Sequence, residues 1–193
     1  MLSASEEVAF ERLGLAGGDV LQAGGLTVTA WHTPGHTFDH LAYEVRPNSA
    51  AVDLFSGGSL LFGSTGRPDL LGPEAVPLLA RAQHRSARRL SALVPPGPPL
   101  YPTHGFGSFC AATTTTHLRS TVGRERAVNP ALMLPEGDYV RRLLDGLGAY
   151  PAYYAHMAPI NRGGPGPIDA TPPARADAAE LSRRLERGEW IVD

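Results

Sequence analysis

Thr33-Pro34-Gly35-His36-Thr37 places a histidine on a loop directly after a β-like run, Leu26-Thr27-Val28-Thr29-Ala30-Trp31. Much later, Leu100-Tyr101 leads in the same way into Pro102-Thr103-His104-Gly105. A rigid strand can aim an imidazole from its end, and two such histidines suggest a shared metal centre. Glycines flank both (Gly35 and Gly105), which allows the backbone to pack closely around an ion. His32 and His40 lie four residues either side of His36, so a local cluster is conceivable. The plainer reading makes His32 a strand end facing polar surroundings and His40 a satisfied loop histidine.

Around these loops the chain reads as alternating short strands and helices. Asp19-Val20-Leu21 and Leu26 to Trp31 form a hairpin across Ala23-Gly24-Gly25, and Leu41 to Val45 with Ala51 to Phe55 form a second strand pair around Pro47-Asn48. Residues 73–94 make the best helix: Val76, Leu79, Ala80, Gln83, Ala87, Leu90 and Val94 recur at helical spacing, and all but Gln83 are apolar. Pro77 sits near its first turn, where a missing N–H is tolerated. Arg81, Arg85, Arg88 and Arg89 read as a solvated face. Further helices are expected over 5–13, with Ser5 as cap, over 136–147 and over about 175–187. Residues 158–174 are rich in Pro and Gly and read as a linker, and Trp190-Ile191-Val192 as a last strand. This order argues a layered α/β structure.

Composition narrows the function classes. The chain has 193 residues, 42% hydrophobic and 19% charged, with a formal net charge of −2. No basic stripe or aromatic–Arg interleaving supports a nucleic-acid partner, and no apolar run approaches the roughly 18–20 residues of a membrane span. All 17 basic residues are arginine, so a lysine nucleophile or Schiff base is ruled out. The single cysteine, Cys110, cannot form an intrachain disulfide and reads as an inert thiol. A cytoplasmic location is the expectation, since the start of the chain lacks the pattern of a signal peptide.

Taken in order, several stretches resemble the metallo-β-lactamase superfamily. They are His32-Thr33-Pro34-Gly35-His36-Thr37, Phe55-Ser56-Gly57-Gly58-Ser59-Leu60-Leu61-Phe62-Gly63, Gly66-Arg67-Pro68-Asp69-Leu70, Tyr101 to Cys110, Asn129 to Leu132 and Tyr153 to Arg162. The nearest branch looks like the persulfide dioxygenases and hydroxyacylglutathione hydrolases, in the version fused to rhodanese. The resemblance implies an αββα sandwich of class α/β, mainly its C-terminal half, over residues 1–168. Residues 169–193 would be a linker and the start of a rhodanese-like segment. It also implies His36 and His104 as metal ligands, Fe or Zn as cofactor, and His32, His40, Arg67 and Asp69 as supporting or substrate-binding residues. Arg67 would orient the turn after the metal-bearing strand by pairing with Asp69.

Two departures from the family pattern stand out. No His-x-His-x-Asp-His motif precedes residue 20, and the carboxylate of a Thr-Gly-Asp motif aligns with Gly58, which has no side chain. An isolated histidine pair binds Fe²⁺ or Zn²⁺ weakly unless other groups close the shell. Two functions therefore compete. One is an enzyme acting on small sulfur-containing or glutathione-linked substrates, a dioxygenase ahead of a thioester hydrolase because a bridged dinuclear centre lacks its carboxylate. The other is a non-catalytic scaffold or interaction module, either a fragment of a longer product or a branch that has given up metal chemistry. An exposed half-sandwich face predicts association with another chain, a homo-oligomer among the possibilities.

Overall fold

The computed structural model describes residues 1–47, 52–104, 111, 117–149, 151–164, 166–172 and 174–190. Its centre is a five-stranded sheet in the order β3 (Val20–Ala23), β4 (Leu26–His32), β5 (Leu41–Pro47), β6 (Asp53–Gly57) and β7 (Leu100–Pro102). The first four strands run antiparallel as a meander, and β7 adds to β6 in parallel. Both expected hairpins form. Asn48 and Ala51, part of the expected second turn, lie outside the described residues.

A parallel pair needs a long crossover. Here it holds a 3₁₀ turn at Pro73–Ala75 and α1 (Val76–Leu93). The apolar stripe read from the sequence is the stripe that is buried: Leu79, Ala80, Ala87 and Leu90 are fully enclosed, as is Gln83. Helices α2 (Val122–Val128), α3 (Pro130–Met133) and α4 (Glu136–Asp145) complete that layer. Ala42, Leu54 and Leu100 of the sheet share one core with Ala80, Leu90, Val122, Ala131, Tyr139 and Leu143 of the helices. The arginines of α1 do more than solvate it. Arg81 and Arg85 both pair with Glu136, Arg88 donates to the Leu134 carbonyl and Arg89 to the His32 carbonyl.

Residues directly opposite in a ladder share a face of the sheet. The register aligns Ala30 with Tyr43, Tyr43 with Phe55, and Phe55 with Tyr101. This row lies on the side away from the helices. Phe55 and Tyr101 stack at 4.9 Å between ring centroids, yet each is 43% exposed. That face is therefore only partly covered. Where it is covered, α5 (Tyr154–Gly163) and the first residues of the chain line an open cleft of about 970 Å³ together with Leu41 and Tyr43.

Two expectations are corrected. Residues 5–13 form no helix; they loop between two short strands, β1 (Leu2–Ser3) and β2 (Gly14–Leu15), which pair in parallel. Ser5 donates its hydroxyl to Asp39 instead of capping, and the Ala9 N–H is taken by the Arg162 carbonyl. Residues 158–163, read as linker, complete α5 with Pro159 inside it. The arginine face of α1 is exposed, as expected, and its guanidinium groups bond to neighbouring segments as well. The last helix does form, as α6 (Ala178–Glu186) capped by Asp177. Trp190 is in no strand, and Ile191 and Val192 lie outside the described residues.

Candidate metal centre

The loop after β4 and the end of β7 meet at one edge of the sheet. The imidazoles of His36 and His104 lie 5.2 Å apart between centroids, and His40 lies 6.2 Å from His36. The sheet order explains this: β4 and β7 are not neighbours, but the turn after β6 lies between their ends.

His36 is oriented by a backbone carbonyl. Its Nδ1 lies 2.9 Å from the Arg67 oxygen, which can only accept, so the proton sits on Nδ1 and Nε2 keeps a lone pair. That is the tautomer a metal-ligating histidine takes when its far nitrogen is held. Burial, ahead of the opposing carbonyl bond, pushes the His36 pKa below its ordinary value. His104 is held by Thr103 Oγ1, 2.8 Å from Nδ1, and burial lowers its pKa to about 4. Its Nε2 is buried and has no hydrogen-bond partner among the described residues.

The other sequence candidates fall into two groups. His40 spends both nitrogens on the fold: Nε2 accepts from the Gly58 N–H at 2.9 Å, so Nδ1 carries the proton and faces Thr33 Oγ1 at 2.8 Å and Ser59 Oγ at 3.1 Å. Burial drives its pKa down to about 3. His32 is exposed and bonds locally to the Phe38 carbonyl. Arg67 is 2% exposed and grips Asp69 through two bonds of 2.7 and 2.8 Å, while also donating to the Gly148 carbonyl. The Arg67 bond holds the Asp69 carboxyl below the usual carboxylate range. Arg67 thus ties down the segment whose carbonyl orients His36. Cys110 lies outside the described residues.

The place of the implied carboxylate is sterically closed. A methyl group at position 58 would lie 2.4 Å from His36 Cδ2, and one at position 66 would lie 2.7 Å from His36 Nδ1. Gln83, absent from the sequence candidates, donates to the Ser59 carbonyl at 2.7 Å and to the Gly58 carbonyl at 3.3 Å. Its one legible signal was being the sole polar residue in the apolar stripe of α1. Among the described residues, no group of three or more His, Cys, Asp or Glu side chains could hold an ion. Two imidazoles fall short of the three protein ligands of a catalytic centre, so these residues alone fit only part of a metal shell.

Comparison with known proteins agrees with this architecture. No family model matches the chain. A crystal structure of a metallo-β-lactamase from Staphylococcus aureus matches with a TM-score of 0.72 at 26% identity, over 81% of this chain and 46% of that one. ETHE1 from Myxococcus xanthus shares the fold, with a TM-score of 0.64 at 21% identity over 82% of this chain and 63% of that one. A metallo-hydrolase of Burkholderia pseudomallei is 38% identical over 104 residues, 50% of this chain and 33% of that protein. A hydroxyacylglutathione hydrolase of Rhodopseudomonas palustris is 44% identical over 55 residues, 28% of this chain and 20% of that protein. The fold is that of a metallo-β-lactamase-like protein. The chain spans a third or less of the curated relatives it matches.

No helix of the described residues is long and apolar enough to cross a membrane.

Proposed function

We propose that His36 and His104 form part of a mononuclear metal shell in a protein acting on persulfide-type sulfane sulfur. The carrying observation is the Nε2 of His104, buried beside His36 and without a partner among the described residues, while the Nε2 of His36 is left with a lone pair. A buried polar atom without a partner is costly, and an ion would satisfy it. Gly58 supports one metal over two, because the space that a bridging carboxylate needs is filled by the His36 ring. The sulfur chemistry is supported by the motif resemblance and by the fold shared with ETHE1.

The test is an anaerobic titration of the full chain with Fe²⁺ and, separately, Zn²⁺. The chain and its His36→Ala and His104→Ala variants are followed by calorimetry, then by oxygen uptake with glutathione persulfide. Weak binding that either substitution abolishes is expected. Binding that both variants retain would place the ion elsewhere. Metal binding by the chain with no persulfide-dependent oxygen uptake would remove the dioxygenase assignment.

One observation favours a second reading, a scaffold or interaction module without catalysis: the described residues supply only two ligands. A chain that takes no metal and melts identically with and without a chelator would establish it.

A further inference from the structure

Gln83 stands between the two segments that hold His36. On one side, a methyl group at Gly35 would collide with it, 2.2 Å from Oε1 and 2.4 Å from Cα. The loop that carries His36 therefore lies flush on the helix. On the other side, Gln83 Nε2 donates to the carbonyls of Gly58 and Ser59. The Gly58 oxygen also accepts from the Gly66 N–H at 2.8 Å, one residue before the Arg67 carbonyl that fixes the His36 proton. One buried amide thus connects α1, the loop of His36, the turn that closes over its ring and the segment that sets its tautomer. Reversing the amide would put Oε1 against two carbonyl oxygens, so only one orientation serves.

We infer that Gln83 is a positioning residue for His36, and that glycine at position 58 is a steric requirement of this arrangement rather than the trace of a lost ligand. The inference rests on reading His36 as a metal ligand. The side chain touches no ion and no reacting atom. It acts by pressing the Gly58 turn against the imidazole so that the ring cannot turn and Nε2 keeps its direction. Placing a carboxylate at position 58 would displace the His36 ring and would add no ligand.

The experiment labels the full chain with ¹⁵N-histidine and reads the His36 tautomer by long-range ¹H–¹⁵N NMR, alongside Zn²⁺ titration and thermal melting. The chain is compared with Gln83→Met, which keeps volume and loses the donors, and with Gly58→Asp. His36 is expected as the Nδ1–H tautomer in the parent and as a mixture in Gln83→Met. Zn²⁺ affinity is expected to fall by about 10–100-fold, the range for residues that orient ligands, with a cooperative melt retained. Gly58→Asp should also weaken Zn²⁺ binding. A lower melting temperature with unchanged tautomer and affinity would make Gln83 an ordinary core residue, and tighter Zn²⁺ binding by Gly58→Asp would make Gly58 a lost ligand. If Gln83→Met does not fold, Gly58→Ala leaves the helix core intact and must give the mixed tautomer. Failure of the ligand reading shows separately, as a parent chain that takes no Zn²⁺ or a His36→Ala variant that binds it equally; the tautomer still decides the role of Gln83.

Discussion

At His40, both ring nitrogens are engaged by the fold, so its proton equilibrium is a stability term. The unfolded chain takes up a proton near the ordinary value of 6.5, whereas the folded chain refuses it until about 3. The unfolded state therefore binds more protons between these values, and stability is present above 6.5 and lost as pH falls towards 3. The urea midpoint should drop between pH 7.5 and 5.0, and drop less in His40→Gln. His36 and His104 are shifted the same way, so part of the slope should survive the substitution. Equal slopes in both proteins would show that His40 is not a source of this dependence. Asp69→Asn leaves the buried Arg67 with a neutral partner and should cost about 1–3 kcal/mol, read by denaturant unfolding. Both histidines at the sheet edge were legible as strand-end residues. His40 was legible as a satisfied loop histidine, but its partners Gly58 and Ser59 were not, because they reach it only through the sheet.

Helix α1 carries both the core and the strut of the site. Leu90 is fully buried in the shared core, so Leu90→Ala should cost about 2–5 kcal/mol, the range for a large-to-small change in a packed interior. A loss below 1 kcal/mol would mean that the helix layer collapses around the gap. The stripe of α1 was visible as a period of three and four because burial along a helix has that period. Gln83 was visible only as an exception to it, since hydrogen bonds to Gly58 and Ser59 leave no local trace. The loop over residues 5–13 shows the converse. Its capping serine and apolar spacing satisfy the local rules of a helix, but Asp39 and Arg162 compete for Ser5 and Ala9 from far along the chain. Local propensity is a weak prior where tertiary partners of that kind exist.

For the whole molecule, the row Ala30–Tyr43–Phe55–Tyr101 leaves aromatic surface on the sheet face opposite the helices. An exposed apolar patch of this kind drives association. The full chain should sediment with a mass that rises with concentration, and the Phe55→Ser, Tyr101→Ser double variant should shift towards a single chain. A mass independent of concentration in the parent would discount the face as a contact surface. The hairpins and the crossover helix followed from periodicity, but which side of the sheet stays open depends on strand register, and register is fixed by pairing.

The parallel attachment of β7 also sets an order of assembly. His36 and the Gly58 turn follow strands that can form from near neighbours along the chain, and Gln83 lies within the crossover itself. His104 comes from beyond it and reaches the edge only when the crossover has docked and β7 has zipped onto β6. Contacts that must wait for such a long loop to close form late in folding. A chain emerging from synthesis would hold one imidazole in its final direction while the other is still being made.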